Sequence, residues 1–196
     1  MAKLGKSSIS SLAALGFQAG IGLVGLVAVW MFDIPLFWGG LGLVEILLFG
    51  LLGALATYFS ILLVSRIPGL FPDDLDRQMR GLYNFARSYS WPVLVSLSVL
   101  AGVGEELLFR GAVQGWLLQH TGPWTAVIAA SVLFGLVHYV SFTYFLMATG
   151  LGLIMGTAYL LSDSLGMVMA WHALYDMVAI FCLLRFPHWF GVKPRP

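Results

Sequence analysis

Charge is scarce in this chain and cysteine almost absent. Of 196 residues only 10% are Asp, Glu, Lys or Arg, and 60% are hydrophobic, whereas a soluble domain carries about 25% charged residues. So few polar side chains cannot cover a water-soluble globule of this size, and that class is excluded. The lone Cys182 excludes an internal disulfide framework and any metal site built from several thiolates. A formal net charge of +1 offers no electrostatic basis for nucleic-acid binding. What is abundant is long apolar sequence, with a mean hydropathy of +0.92. Stretches of about 20 apolar residues are long enough to cross the hydrocarbon core as helices, and they recur. The expectation is an all-α, polytopic transmembrane helical bundle forming one membrane domain over 1–196.

Charges and Pro/Gly punctuation divide the chain into six expected spans, at about 9–32, 36–64, 91–119, 124–140, 142–161 and 165–184. The stretch 67–90 is the polar segment of any length, and it reads as a surface connector. Leu75, Met79, Leu82 and Tyr83 give it one apolar stripe, as in a short amphipathic helix lying on the membrane. Lys3 and Lys6 precede the first apolar run as in a signal peptide, but no small-x-small cleavage site follows and the run is too long, so it reads as an anchor. With the N-terminus in the cytoplasm, Lys3, Lys6, Arg66, Arg77, Arg80, Arg87, Arg185, Lys193 and Arg195 all fall inside. The outer loops near Asp33, Thr121 and Asp163 then hold no Lys or Arg. This asymmetry is the positive-inside pattern and predicts both termini in the cytoplasm, in a cell membrane of bacterial or archaeal type.

A charged group at the centre of a span costs about 2.5–3.5 kcal/mol on insertion scales, so each one within a span calls for a function or a partner. Here they are Glu45, Glu105, Glu106, Arg110, His138, His172 and Asp176. Glu45 alone reads as a polar clamp between helices or an interfacial group. Glu106 and Arg110 are four apart with the acid first, the favourable arrangement for an ion pair on a helix. Glu105 lies about 100° around the same helix and is left as a carboxylate without a local counter-ion, suited to a general base or proton shuttle; the alternative is that both glutamates pair with Arg110. Phe134 precedes His138 by four residues and can pack on its imidazole. His172 and Asp176 share one helix face, so Asp176 either orients His172 or joins it at a common metal or substrate oxygen. His120 and His188 fall at span ends and read as interfacial.

Several hydrolytic mechanisms lack their residues. No Gly-x-Ser-x-Gly element is present, and no His-Glu-x-x-His zinc signature; Tyr175-Asp176 resembles half of the intramembrane aspartyl pattern, but its Gly-x-Gly-Asp partner does not occur. A glutamate, two histidines and a further carboxylate on three helices remain. They suit a glutamate-activated water, with the imidazoles either donating to an oxyanion or holding a zinc ion with one open position.

Three motifs in order carry a resemblance: Glu105-Glu106-Leu107-Leu108-Phe109-Arg110, Phe134-Gly135-Leu136-Val137-His138, and His172-Ala173-Leu174-Tyr175-Asp176. This succession resembles the CAAX protease and bacteriocin-processing (CPBP, or Abi) intramembrane proteases, whose pattern is Glu-Glu-x-x-x-Arg, Phe-x-x-x-His and His-x-x-x-Asn/Asp. The resemblance places a protease core over about 91–187. It implies that Glu105 activates water with help from His138, that His172 and Asp176 stabilise the oxyanion, and that Glu106 and Arg110 support the site. Asp176 stands where the best-known CAAX-type members carry Asn, and a carboxylate is a poor oxyanion donor unless protonated; orienting His172, or binding a metal, suits it better. The family is described as metalloproteases, which makes His138, His172 and Asp176 the candidate ligands for zinc. Family members cleave prenylated CAAX C-termini or process bacterial peptides, so the implied partners are a peptide or lipidated-protein substrate and the bilayer, with no nucleic acid.

Two other classes compete. A noncatalytic scaffold or bacteriocin-immunity protein could keep the fold, although it gains nothing from three costly polar groups. A proton-coupled transporter could use the same residues as a relay, but the related halves with interrupted helices that mark transporters are not evident. The three polar groups also have to meet at one depth. Counted along the spans, His172 lies nearer the outer end than Glu105 or His138, so tilted helices or a break near Gly102–Gly104 are expected.

Overall fold

The computed structural model describes residues 9–67 and 75–192. Lys3, Lys6, Lys193 and Arg195, used above for orientation, lie outside them. The described chain is helical, in the order α1 (Ser11–Met31), α2 (Leu43–Val64), α3 (Leu75–Ala86), α4 (Trp91–Glu106), a π-helical segment (Leu107–Gln114), α5 (Gly115–His120), α6 (Pro123–Val137), α7 (Phe142–Ser162), α8 (Leu165–Arg185) and a 3₁₀ turn (Pro187–Phe190). Five helices are long and apolar enough to cross a membrane, the third of them running unbroken from Trp91 to His120; α6 is apolar but shorter. At 1.5 Å per residue, 15 residues reach only about 22 Å, short of a hydrocarbon core of about 30 Å, and His138 sits at the C-terminal end of α6.

The helix starts follow from local chemistry. Ser10, Ser141 and Ser164 each cap an N-terminus, accepting from the backbone N–H of Ala13, Tyr144 and Met167, and Pro92 and Pro123 sit in first turns where no N–H is needed. Asp163 ends α7 in the left-handed conformation. The second span is shorter than the sequence suggested: the Gly-rich stretch before Leu43 is not helical, and Gly39 has φ +62°. Glu45 therefore lies in the first turn of α2 and not inside the membrane core. It is exposed, and its Oε2 accepts from Gly42 N–H at 2.7 Å.

Helix α8 is central, packed by α2 on one side and α4 on the other; α1 lies against α4 and the π segment, and α6 pairs with α7. Close approach depends on particular glycines. A β-carbon at Gly102 would stand 2.6 Å from the Ala173 backbone nitrogen, and one at Gly25 2.8 Å from that of Leu108, so α8 and α1 both sit closer to the third span than larger side chains permit. No break occurs at Gly102–Gly104. The departure comes just beyond, where eight residues adopt the wider π register directly after Glu106.

The two ends of the bundle are distinct. Gln119 Nε2 reaches the Asp33 carbonyl, and Leu165 N–H donates to the Phe37 carbonyl, gathering the Asp33, Thr121 and Asp163 turns at one end. At the other, Tyr89 Oη donates to the Ile9 carbonyl, Arg66 to the Trp189 carbonyl, and Gln78 to Ser141 Oγ.

Candidate active site

Glu105 and Glu106, at the end of α4, are buried at 7% and 0% exposure and point to different partners. Glu106 lies 3.0 Å from Arg110 Nε and accepts from His172 Nδ1 at 2.7 Å. Arg110, itself 1% exposed, donates to the Gly152 carbonyl and lies over the Phe134 ring at 4.8 Å. An arginine buried this far needs an acid beside it, and the i, i+4 spacing supplies one. Glu105 takes no part in this pair. Its Oε1 accepts from Gln18 of α1 at 2.9 Å, and its Oε2 lies 3.4 Å from His138 Nε2 and 3.9 Å from His172 Nε2.

Both imidazoles are fixed from behind. His138 Nδ1 contacts the Phe134 carbonyl at 2.8 Å, with the Phe134 ring 4.3 Å from the imidazole, and His172 Nδ1 is held by Glu106. Each ring therefore presents Nε2 towards Glu105. These separations exceed a direct hydrogen bond of about 2.7–3.2 Å, so the groups converge without saturating one another. Asp176 Oδ2 lies 3.9 Å from His172 Nε2. It stands at the front of the imidazole, and the group orienting the ring is Glu106.

Glu105, His138, His172 and Asp176 line one cavity of about 530 Å³. Its remaining wall includes Gln18, Tyr58 and Tyr144, which motif reading passed over, and Tyr175, noted above only as the neighbour of Asp176. Tyr144 lines the cavity together with Asp176 and Glu105, and the Tyr58 and Tyr175 rings meet edge to face at 6.4 Å. Gln18 was visible as the strongly polar side chain amid an apolar span. The tyrosines carried no such signal, because aromatic residues in spans are commonplace. The cavity reaches the end bearing Arg66, where Gln78, Met79 and Leu82 of the amphipathic α3 form part of its wall.

The donor set can be tested against zinc. Two Nε2 atoms with their Nδ1 atoms already tied are the kind of ligand zinc takes. Among the described residues, however, no three His, Cys, Asp or Glu side chains stand close enough together to hold a metal ion. No step is assigned to zinc below.

Residues 87–178 match the family model described as type II CAAX prenyl endopeptidase Rce1-like. Over those residues the chain is similar to an Rce1-like CAAX endopeptidase domain. The match contains Glu105, Glu106, Arg110, His138, His172 and Asp176, and it leaves Gln18 and Tyr58 outside the domain's borders. At the family level the Rce1-like similarity supports intramembrane proteolysis and, with the apolar helices, an integral membrane protein. The uncharacterized protein YpbD of Bacillus subtilis (strain 168) is 34% identical over 102 residues, covering 50% of this chain and 49% of YpbD. The chain thus spans about half the length of that curated relative. No solved structure matches the chain.

Proposed function

We propose that the protein is an intramembrane endopeptidase that hydrolyses peptide bonds of membrane-associated substrates, with Glu105 as general base. The supporting observation is the convergence of Glu105 Oε2 with the Nε2 atoms of His138 and His172, from three different helices, in a cavity large enough for a peptide segment. Proteolysis inside a membrane requires an activated water and donors for the developing oxyanion.

In the proposed cycle Glu105 takes a proton from water as its oxygen bonds to the scissile carbonyl carbon, and the carbonyl π electrons move onto oxygen. His172, as imidazolium, keeps Nδ1–H on Glu106 and donates Nε2–H to that oxyanion. His138 positions the water and the Glu105 carboxyl group. Glu105 then returns the proton to the amide nitrogen as the C–N bond breaks, leaving a carboxylic acid and an amine. Asp176 tunes His172 from the front, and the neighbouring phenol of Tyr144 is a neutral donor towards the substrate. Glu106 and Arg110 are positioning residues.

The reading includes an orientation with the Arg66, Arg87 and Arg185 end in the cytoplasm, so substrates enter from that side. The test is cleavage, followed by mass spectrometry in detergent, of farnesylated CAAX peptides beside unmodified hydrophobic peptides, with Glu105→Gln as control. Cleavage by the wild type alone supports the proposal, and the peptide cut gives the substrate class. Equal absence of cleavage, with the biological effect retained in Glu105→Gln, overturns it in favour of a scaffold.

A further inference from the structure

A second cavity, of about 360 Å³, lies on the other side of α8 from the candidate active site and shares no lining residue with it. Arg87, just past α3, and Arg185, in the last turn of α8, both line it, together with Tyr89 and Trp91, and Phe181 and Leu94 complete an apolar wall. No carboxylate among the described residues pairs with either guanidinium group: Arg87 lies over the Tyr83 ring at 5.6 Å, and both arginines are exposed. Two like charges brought to one pocket repel, and an anion between them removes the repulsion. The planar fork of arginine matches phosphate oxygens in particular.

The setting selects the kind of phosphate. Helix α3 ends, α4 begins and α8 ends around this pocket, and the ends of membrane-spanning helices lie where a chain leaves the hydrocarbon. Trp91 sits at the first turn of α4, its ring 6.1 Å from that of Phe181, in the position interfacial aromatics occupy. Leu94, 3% exposed, forms the inner wall, and Phe181, 49% exposed, continues the apolar surface along the outside of α8. An inorganic anion makes no use of such walls. A phospholipid does, with its phosphate between the arginines and its acyl chains beside Phe181.

We propose that this pocket is a binding site for the phosphate head group of an anionic phospholipid, separate from the site of hydrolysis. It does not depend on the protease reading. The test is native mass spectrometry of the detergent-purified full chain incubated with phosphatidylglycerol or phosphatidylcholine, comparing wild type, Arg87→Gln/Arg185→Gln, Arg87→Lys/Arg185→Lys, and Arg66→Gln, which removes a cation from the same end but outside the pocket. The wild type should retain phosphatidylglycerol about tenfold better than phosphatidylcholine, the difference one charge-assisted contact can make. The glutamine double variant should lose that preference with an unchanged unfolding temperature, the lysine variant should keep part of it, and Arg66→Gln should keep it whole. Equal phosphatidylglycerol retention by the glutamine variant overturns the proposal. Displacement of the lipid by millimolar inorganic phosphate also overturns it, and would make the pocket a simple anion site.

Discussion

His172 and Glu106 are joined through Nδ1 and Oε1 at 2.7 Å, across the α4–α8 interface. That bond turns the free imidazole nitrogen towards Glu105 and divides the work of the two adjacent glutamates, one facing the Arg110 and His172 support, the other facing the cavity.

Replacing Glu105 by Gln keeps its shape and its neighbour Gln18 but removes the base. Cleavage should fall by about 10²–10⁴-fold, the usual contribution of a general base. The thermal unfolding midpoint in detergent should stay near that of the wild type. A variant that cuts at the wild-type rate would remove Glu105 from the mechanism.

Glu106→Gln leaves Arg110 buried without its acid, a loss of about 3–5 kcal/mol. The double variant Glu106→Gln/Arg110→Met should recover most of that stability while remaining inactive, because His172 has lost the carboxylate that sets its direction. Thermal unfolding and peptide cleavage, measured together, separate the two effects. Recovery of activity in the double variant would show that Glu106 serves only to neutralise Arg110.

Asp176→Asn should cleave within about tenfold of wild type, since the amide can donate a hydrogen bond that an ionised carboxylate cannot. Asp176→Ala should be slower than both. A large loss in the Asn variant, seen in kcat with KM unchanged, would instead assign the charge of Asp176 a direct part in proton transfer.

Gly102→Val places a β-carbon against the Ala173 backbone nitrogen and the Met169 carbonyl. Backbone cannot yield as a side-chain tip can, so α4 and α8 must separate, at a cost of about 1–3 kcal/mol or more. The shift carries Glu105 away from His172, and cleavage should drop more than the stability loss alone accounts for. A fully active variant would argue that the helix spacing is not set at this glycine.

Elemental analysis and chelation test the zinc expectation: an active preparation with well under one zinc per chain that keeps its activity in chelator would set it aside. Stoichiometric zinc that is lost in His172→Ala would bring the metal reading back.

Much of this architecture could be read from the residues. Apolar length gave the helices, and the i, i+4 spacings gave the Glu106–Arg110 pair and the Phe134–His138 contact. What sequence could not give was the identity of partners between helices. On spacing alone Asp176 was the natural orienting group for His172, yet a residue 66 positions earlier holds the ring. Glu45 had the look of an intramembrane charge because the helix start was hidden among glycines. Gly16 and Gly20 stand four apart on α1, yet a β-carbon at either would meet nothing within 4 Å, while Gly25 of the same helix lies against Leu108. Which of 23 glycines matters is decided by neighbours far away in the chain.

The hydrogen bond from Gln18 to Glu105 also bears on where the working machine begins and ends. The stretch alike to known endopeptidases starts at residue 87, yet its chief carboxylate is steadied by an amide 87 positions earlier. A piece excised along the borders of family likeness would hold every motif residue and still lack the Gln18 side of its own cavity.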